Sequence, residues 1–291
     1  MRVVLLSLAL LGLTASGPAP ERPQFSIGAI ADAQYAEEAD NGQRLYHTAP
    51  GKLAAAVADF NRQKLDFVVH LGDFIDKDWA SFDAMLPIVK RSRAPWHFAL
   101  GNHEFSIPDA YKPQLPAKLG MPARYYSFER KGWLFVVTDG NDLSSYGWPE
   151  GSPQHKASME AHARLYADKP LWDGGIGDTQ LAWIDAQLAG ADKRGLKVAL
   201  LSHFPVYPEN PHNLWNAAAV MAVVERHPSA KLWLDGHNHD GNYGRHAGVH
   251  YVNLKAMLDT ESTSYARLDF FADRIELRGT GRQQDMVLPL R

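Results

Sequence analysis

Apolar residues along this chain come in short unbroken runs that alternate with stretches of helical spacing. FSIGAIAD (25–32), LDFVVHLGD (65–73), WHFAL (96–100), WLFVVTD (133–139), KVALLSH (197–203) and KLWLD (231–235) predict strands. Their continuous apolarity, without polar alternation, implies cover on both faces. Between them, 48–63, 78–91, 178–194 and 214–227 carry helical spacing, with Thr48–Pro50 and Asp178 as helix-start signals. Segments 249–255, 264–271 and 274–281 predict an antiparallel meander. Residues 140–177, rich in Gly, Pro, Ser and Trp, predict a long irregular insertion that forms a lid or pocket wall. The pattern is that of one α/β domain with two sheets, over residues 20–291.

Polar residues cluster where the runs stop. The clusters are Asp32-Ala33-Gln34, Gly72-Asp73 with Asp76, Gly101-Asn102-His103-Glu104, Ser202-His203 and Gly236-His237-Asn238-His239. In an open α/β sheet the carboxyl ends of parallel strands converge on one crevice, so five clusters at five strand ends predict one site. Each alone is weak: an isolated His-x-His reads as a surface pair, GNH as a turn, and Asp76 as a helix cap. Together, carboxylates, amide oxygens and imidazoles without sulfur suit manganese, iron or zinc. A pair of cations about 3.5–4 Å apart needs a bridging anion, which a short Asp at a rigid strand end supplies. In extended backbone residues i and i+2 point the same way, so His237 and His239 can each serve one of two neighbouring cations.

This ordered set resembles the calcineurin-like metallophosphoesterases and spans nearly the whole chain after its first segment. The resemblance implies a four-layer α/β/β/α sandwich. Carried over by position, it implies Asp32, Gln34, Asp73 and His239 around one metal. Asp73, Asn102, His203 and His237 would hold the other, with Asp73 bridging. It implies His103 as the catalytic histidine and Asp76 as its orienting partner, against the plain alternative that Asp76 caps a helix. The chemistry implied is attack of a metal-bound hydroxide on phosphorus.

One departure narrows the family. Most members have histidine where this chain has Gln34, and an amide oxygen is a harder donor that favours manganese over zinc. The Asp-x-Gln variant resembles the manganese-dependent ADP-ribose/CDP-alcohol diphosphatases, as do segments 44–61, 174–185, 202–208, 214–224 and 248–260. The expected substrate is therefore a small nucleoside diphosphate derivative. The alternatives are a phosphomonoester or cyclic nucleotide at the same metals, or a non-catalytic exported metal-binding module. Arg44, Tyr46, Phe204 and Trp215, and more loosely Tyr35, Tyr207 and Asn216, are candidates for the substrate pocket because they neighbour motif residues. An aromatic there would stack a base and Arg44 would clamp a phosphate. Residues 35–43 are short for the group.

Composition changes the picture in three ways. A net charge of −3 without a basic stripe excludes a nucleic-acid-binding surface. The absence of cysteine removes disulfides, thiolate sites and lipoprotein anchoring. Residues 1–19 hold one Arg, an apolar stretch from Val3 to Leu13 and then small residues. That is the layout of a signal peptide, so the chain is expected to be exported to a periplasm or the medium. After signal removal, no membrane anchor and a monomeric state are expected.

Overall fold

A computed structural model describes residues 21–291, so the signal-peptide reading lies outside the described residues. Every predicted run of the first group forms a strand. The strands are β1 (Phe25–Ile30), β2 (Phe67–His70), β3 (Trp96–Phe98), β5 (Trp133–Val137), β6 (Lys197–Leu201) and β7 (Ala230–Asp235). Three strands lie outside the predicted runs: β4 (Tyr126–Arg130), β8 (Asn242–His246) and β12 (Met286–Pro289). β4 and β8 are half exposed, which breaks the apolar continuity that marks the buried strands. The remaining strands are β9 (Val249–Asn253), β10 (Ser264–Phe270) and β11 (Arg274–Gly281).

Two six-stranded sheets result, ordered β12-β11-β10-β1-β2-β3 and β4-β5-β6-β7-β9-β8. One expectation is corrected here. β9 does not join the C-terminal meander but pairs in parallel with β7 in the second sheet; the meander is β10, β11 and β12, and β10 runs antiparallel to β1. All five residues of β9 are buried, as a strand inside a parallel sheet requires.

The predicted helices form α1 (Ala49–Phe60), α2 (Ser81–Val89), α5 (Asp178–Arg194) and α6 (Ala217–Val224). A short α3 (Leu115–Lys118) precedes β4. The 140–177 insertion is not wholly irregular: α4 (Pro153–Leu165) starts at Ser152, whose hydroxyl accepts from the His155 amide. Thr48 stands at the start of α1 without capping it, its hydroxyl donating instead to Leu45 O. Asp178 is the first helical residue of α5, after Gly177, where a carboxylate complements the helix dipole. No helix among the described residues is long and apolar enough to cross a membrane.

The continuous runs are explained by layering. Along β5, Leu134 and Val136 pack with α5 and α6, while Phe135 and Val137 face the first sheet. Phe135 meets Phe25 and Phe67 edge-on, with centroids 6.1 and 4.9 Å away, and so joins the two sheets. Helices outside, sheets inside: this is the four-layer sandwich. Phe135→Ala removes a fully buried ring at that junction, and we expect a loss of about 3–5 kcal/mol. Urea unfolding should give a lower midpoint with an unchanged m-value.

Candidate metal centre

The strand ends converge as the sequence predicts. His203 Nε2 lies 3.3 Å from Asp73 Oδ2, 3.2 Å from Asn102 Oδ1 and 3.1 Å from His237 Nδ1. His239 Nε2 lies 3.8 Å from Asp32 Oδ1. Asp32 and Gln34 follow β1, Asp73 follows β2 and Asn102 follows β3, whereas the three histidines come from the second sheet. The site therefore sits across the seam between the sheets. Asp32, Gln34, Asp73 and His203 are buried.

Local backbone conformation aims these groups. Asp32, Gln34, Asp73 and His237 all have positive φ, between 47° and 67°, in the left-handed region that non-glycine residues rarely occupy. Four of the candidate ligands thus sit on strained turns directly after strands. Glycines let the turns meet: a Cβ on Gly101 would lie 2.1 Å from Asp73 Oδ1, and one on Gly236 2.6 Å from Asp32 Oδ2.

The donors fit a pair of divalent cations. Both amide atoms of Gln34 are buried without a partner, which costs free energy unless something ligates them. Each histidine has an acceptor at its outer nitrogen: Leu71 O for His203 Nδ1 (2.8 Å), Asp173 Oδ1 for His237 Nε2 (2.9 Å) and Asp259 Oδ1 for His239 Nδ1 (3.0 Å). The tautomer protonated on that outer side turns a lone pair inward, the arrangement metal-ligating imidazoles use. Asp73, His203 and His237 offer ligand atoms within 4.8 Å of one another.

The electrostatics point the same way. Burial pushes the Asp32 carboxyl up to about 6, although His239 and His203 oppose it. Burial acts likewise on Asp73, but the imidazoles of His203 and His103 prevail and hold it well below the usual carboxylate range. Against its own burial, His203 is raised to about 9, chiefly by Asp73. Burial and the neighbouring His203 hold His237 well below its ordinary value.

His103 stands beside the cluster, its Nε2 4.0 Å from Asp73 Oδ2. Its Nδ1 is 2.6 Å from Asp76 Oδ1, and the other Asp76 oxygen accepts from Tyr46 OH at 3.0 Å. Although burial opposes it, Asp73 and Asp76 raise His103 above the ordinary imidazole value. Asp76 orients His103 and does not cap a helix, since α2 begins at Ser81.

The pocket candidates need correction. Arg44 lines the cavity of about 440 Å³ that opens over the centre, together with Trp172, His212 and Asp240. Tyr46 is buried and serves Asp76. Phe204 is fully buried and packs edge-on against His203 and His237. Trp215 is buried, its indole donating to Pro170 O. Tyr35 packs against the core. Tyr207 lies under Gly244, and Asn216 bonds the backbone of Ile176. Nearness in sequence misleads because a residue beside a ligand can turn back into the core, as Phe204 does.

Two supporting residues escape the sequence reading, and a third, Glu104, stands in a predicted cluster without a role. Asp173 and Asp259, the outer partners of His237 and His239, stand in or beside segments 174–185 and 248–260, but a carboxylate behind an imidazole has no spacing rule. Glu104 follows the GNH motif; it accepts the backbone N–H groups of Asp73 (2.9 Å) and Gly101 (2.7 Å), and of Phe74. One carboxylate so ties two ligand turns together. The loop bearing Asp259 is held from below by the buried Lys52, whose ammonium donates to Met257 O, Leu258 O and Thr260 O.

A calcineurin-like phosphoesterase signature matches residues 25–241. The chain is 29% identical to a manganese-dependent ADP-ribose/CDP-alcohol diphosphatase of Arabidopsis thaliana, over 92% of this chain and 98% of that protein. The Mus musculus protein of the same name is 28% identical, over 95% and 96%. A dimetal phosphatase from Danio rerio superposes with a TM-score of 0.84 at 27% identity, over 92% of this chain and all of that one. GAP50, the anchor in the Plasmodium inner membrane complex, shares the fold at a TM-score of 0.60 and 11% identity, over 93% and 90%.

Two outcomes follow. Asp259→Ala should weaken metal affinity by about 10–100-fold, the range seen when such outer partners are lost, measured by calorimetric titration of the metal-free protein. Metal affinity should also rise with pH between about pH 6 and 8. Below its pKa of about 9, His203 carries a proton in the metal-free protein that a cation must displace. Titrations in buffers of different ionisation enthalpy should register that proton release.

Proposed function

Because this chain belongs to the calcineurin-like phosphoesterase family, a family of metal-dependent hydrolases, we propose that it hydrolyses the diphosphate linkage of ADP-ribose- and CDP-alcohol-like nucleotides, with manganese as its metal. One observation carries the substrate class: the end-to-end match to relatives named for that activity. Gln34 supports the metal, since a buried, unpartnered amide oxygen is a hard donor suited to manganese rather than zinc. The fold alone argues nothing about catalysis, since one fold hosts many functions. His103 does argue for it: it is oriented by Asp76 beside the centre yet is not needed as a ligand.

Asp32, Gln34 and His239 would hold one cation and Asn102, His203 and His237 the other, with Asp73 between them. Bound there, two such cations would supply water activation and compensation of the negative charge that gathers on the phosphoryl oxygens. The chain's own residues complete the reaction. Asp76 fixes the His103 ring, so that Nε2 can hold a proton for the departing oxygen. Arg44 lines the same cavity and suits an anionic phosphoryl group. Products would be AMP and a sugar phosphate, or CMP and a phosphoalcohol.

The test is a substrate panel with manganese-loaded protein: ADP-ribose, CDP-choline and a phosphomonoester, with nucleotide products resolved. AMP or CMP should form, and Asp73→Asn should abolish it. His103→Ala should lower kcat by about 10²–10⁴-fold with bound manganese retained. Turnover of the monoester alone would make the protein a phosphatase.

A further inference from the structure

The cavity holds a histidine that neither the metal site nor the proton relay uses. His212 lines it with Asn102, His103, His237 and His239. Its ring centroid is 5.0 Å from that of Trp172 and 5.5 Å from that of His237, the latter edge to face at 78°. His103, His203, His237 and His239 each have a partner at a ring nitrogen; among the described residues His212 has none. Nor does it belong to the close donor group of Asp73, His203 and His237.

The loop after β6 holds this ring in place with its own side chains. Asn210 donates to Pro208 O (2.8 Å) and to Asn213 Oδ1 (2.7 Å), and its oxygen accepts the His212 amide (2.9 Å). Asn213 donates to Val206 O and Pro208 O, both at 3.1 Å. A loop cross-linked this way presents its side chain without ordering it on binding, which is how affinity is gained by preorganisation.

Position selects the ligand. Arg44 lines the cavity together with His103, whose ring Asp76 holds. His212 and Trp172 meet the centre from the side of His237. Trp172 keeps 44% of its surface exposed, so its ring is open to a flat partner. An apolar ring face next to an imidazole edge, which offers one donor and one acceptor, matches a base joined to a hydroxylated sugar. We propose that His212 is a substrate-contacting residue that hydrogen-bonds a ribosyl hydroxyl in the nucleoside half of the substrate. This rests on the diphosphatase reading.

The experiment compares kcat/KM for ADP-ribose and for bis(p-nitrophenyl) phosphate, which has no ribose, in the manganese-loaded wild type, His212→Ala and His212→Gln. Bound manganese is measured in each. One uncharged hydrogen bond corresponds to about a three- to tenfold change. The ratio of the two specificity constants should fall by that factor in His212→Ala, through KM for ADP-ribose. His212→Gln, which keeps a donor and an acceptor, should recover part of it, and manganese content should not move. An unchanged ratio overturns the inference, and so does loss of manganese with both substrates falling together. A wild type that cleaves bis(p-nitrophenyl) phosphate but not ADP-ribose overturns the diphosphatase reading itself, before any variant is compared.

Discussion

Two carboxylates, Asp32 and Asp73, are buried side by side at the seam of the sandwich, and among the described residues neither has a lysine or arginine partner. Buried charge of one sign must be neutralised or compensated. Here the compensation available within the chain is imidazole, from His203, His103 and His239, and the opposite directions in which Asp32 and Asp73 are driven show how incomplete it is. The rest of the site follows from that constraint. Strained turns aim oxygen and nitrogen at one point, glycines admit them, and the unpartnered Gln34 amide adds a neutral oxygen where another charge would worsen the balance.

Around the ligands lies a supporting layer that acts only through them. Asp173, Asp259 and Leu71 O set the three imidazoles, and Glu104 locks the turns of Asp73 and Gly101. Lys52 ties down the loop of Asp259 with three hydrogen bonds to carbonyls, and burial depresses its own pKa. Arg124 does similar work for the insertion: it pairs with Asp139 at 2.5 Å, donates to Gly147 O, and lies 4.0 Å over the Trp148 ring. Leu143 in turn pairs with Gly175, so the wall that carries Trp172 and Asp173 is anchored to the scaffold.

Much of this is legible in the sequence, for physical reasons. Buried parallel strands write themselves as unbroken apolar runs, and polar residues at their carboxyl ends then stand out; Asp32, Asp73, Asn102, His203 and His237 all come from that rule. Sheet membership does not come from it. β9 reads like the strands that follow, and only pairing with β7 tells it apart. Half-exposed β4 and β8 lack the signal altogether, and α4 is hidden in a segment whose composition is that of a loop. The pocket wall is least legible. Whether Phe204 or His212 reaches the cavity depends on how one loop folds back on itself, and proximity in sequence to His203 favours the wrong one.

The pairing of β1 with β10 has a consequence for how the molecule comes into being. Ser26 and Asp269 hydrogen-bond across nearly the full length of the chain, and β1, whose end carries Asp32 and Gln34, has the late meander as one of its two neighbours. Contacts this distant in sequence carry a large loop-closure cost and slow folding. A nascent chain that has released every candidate ligand through His239 still lacks the strand that fixes the first of them and the loop that sets the last. Completion of the centre thus waits on the C-terminal segment, and a chain stalled just after His239 would carry the full set of ligating residues without the strand and loop that support them.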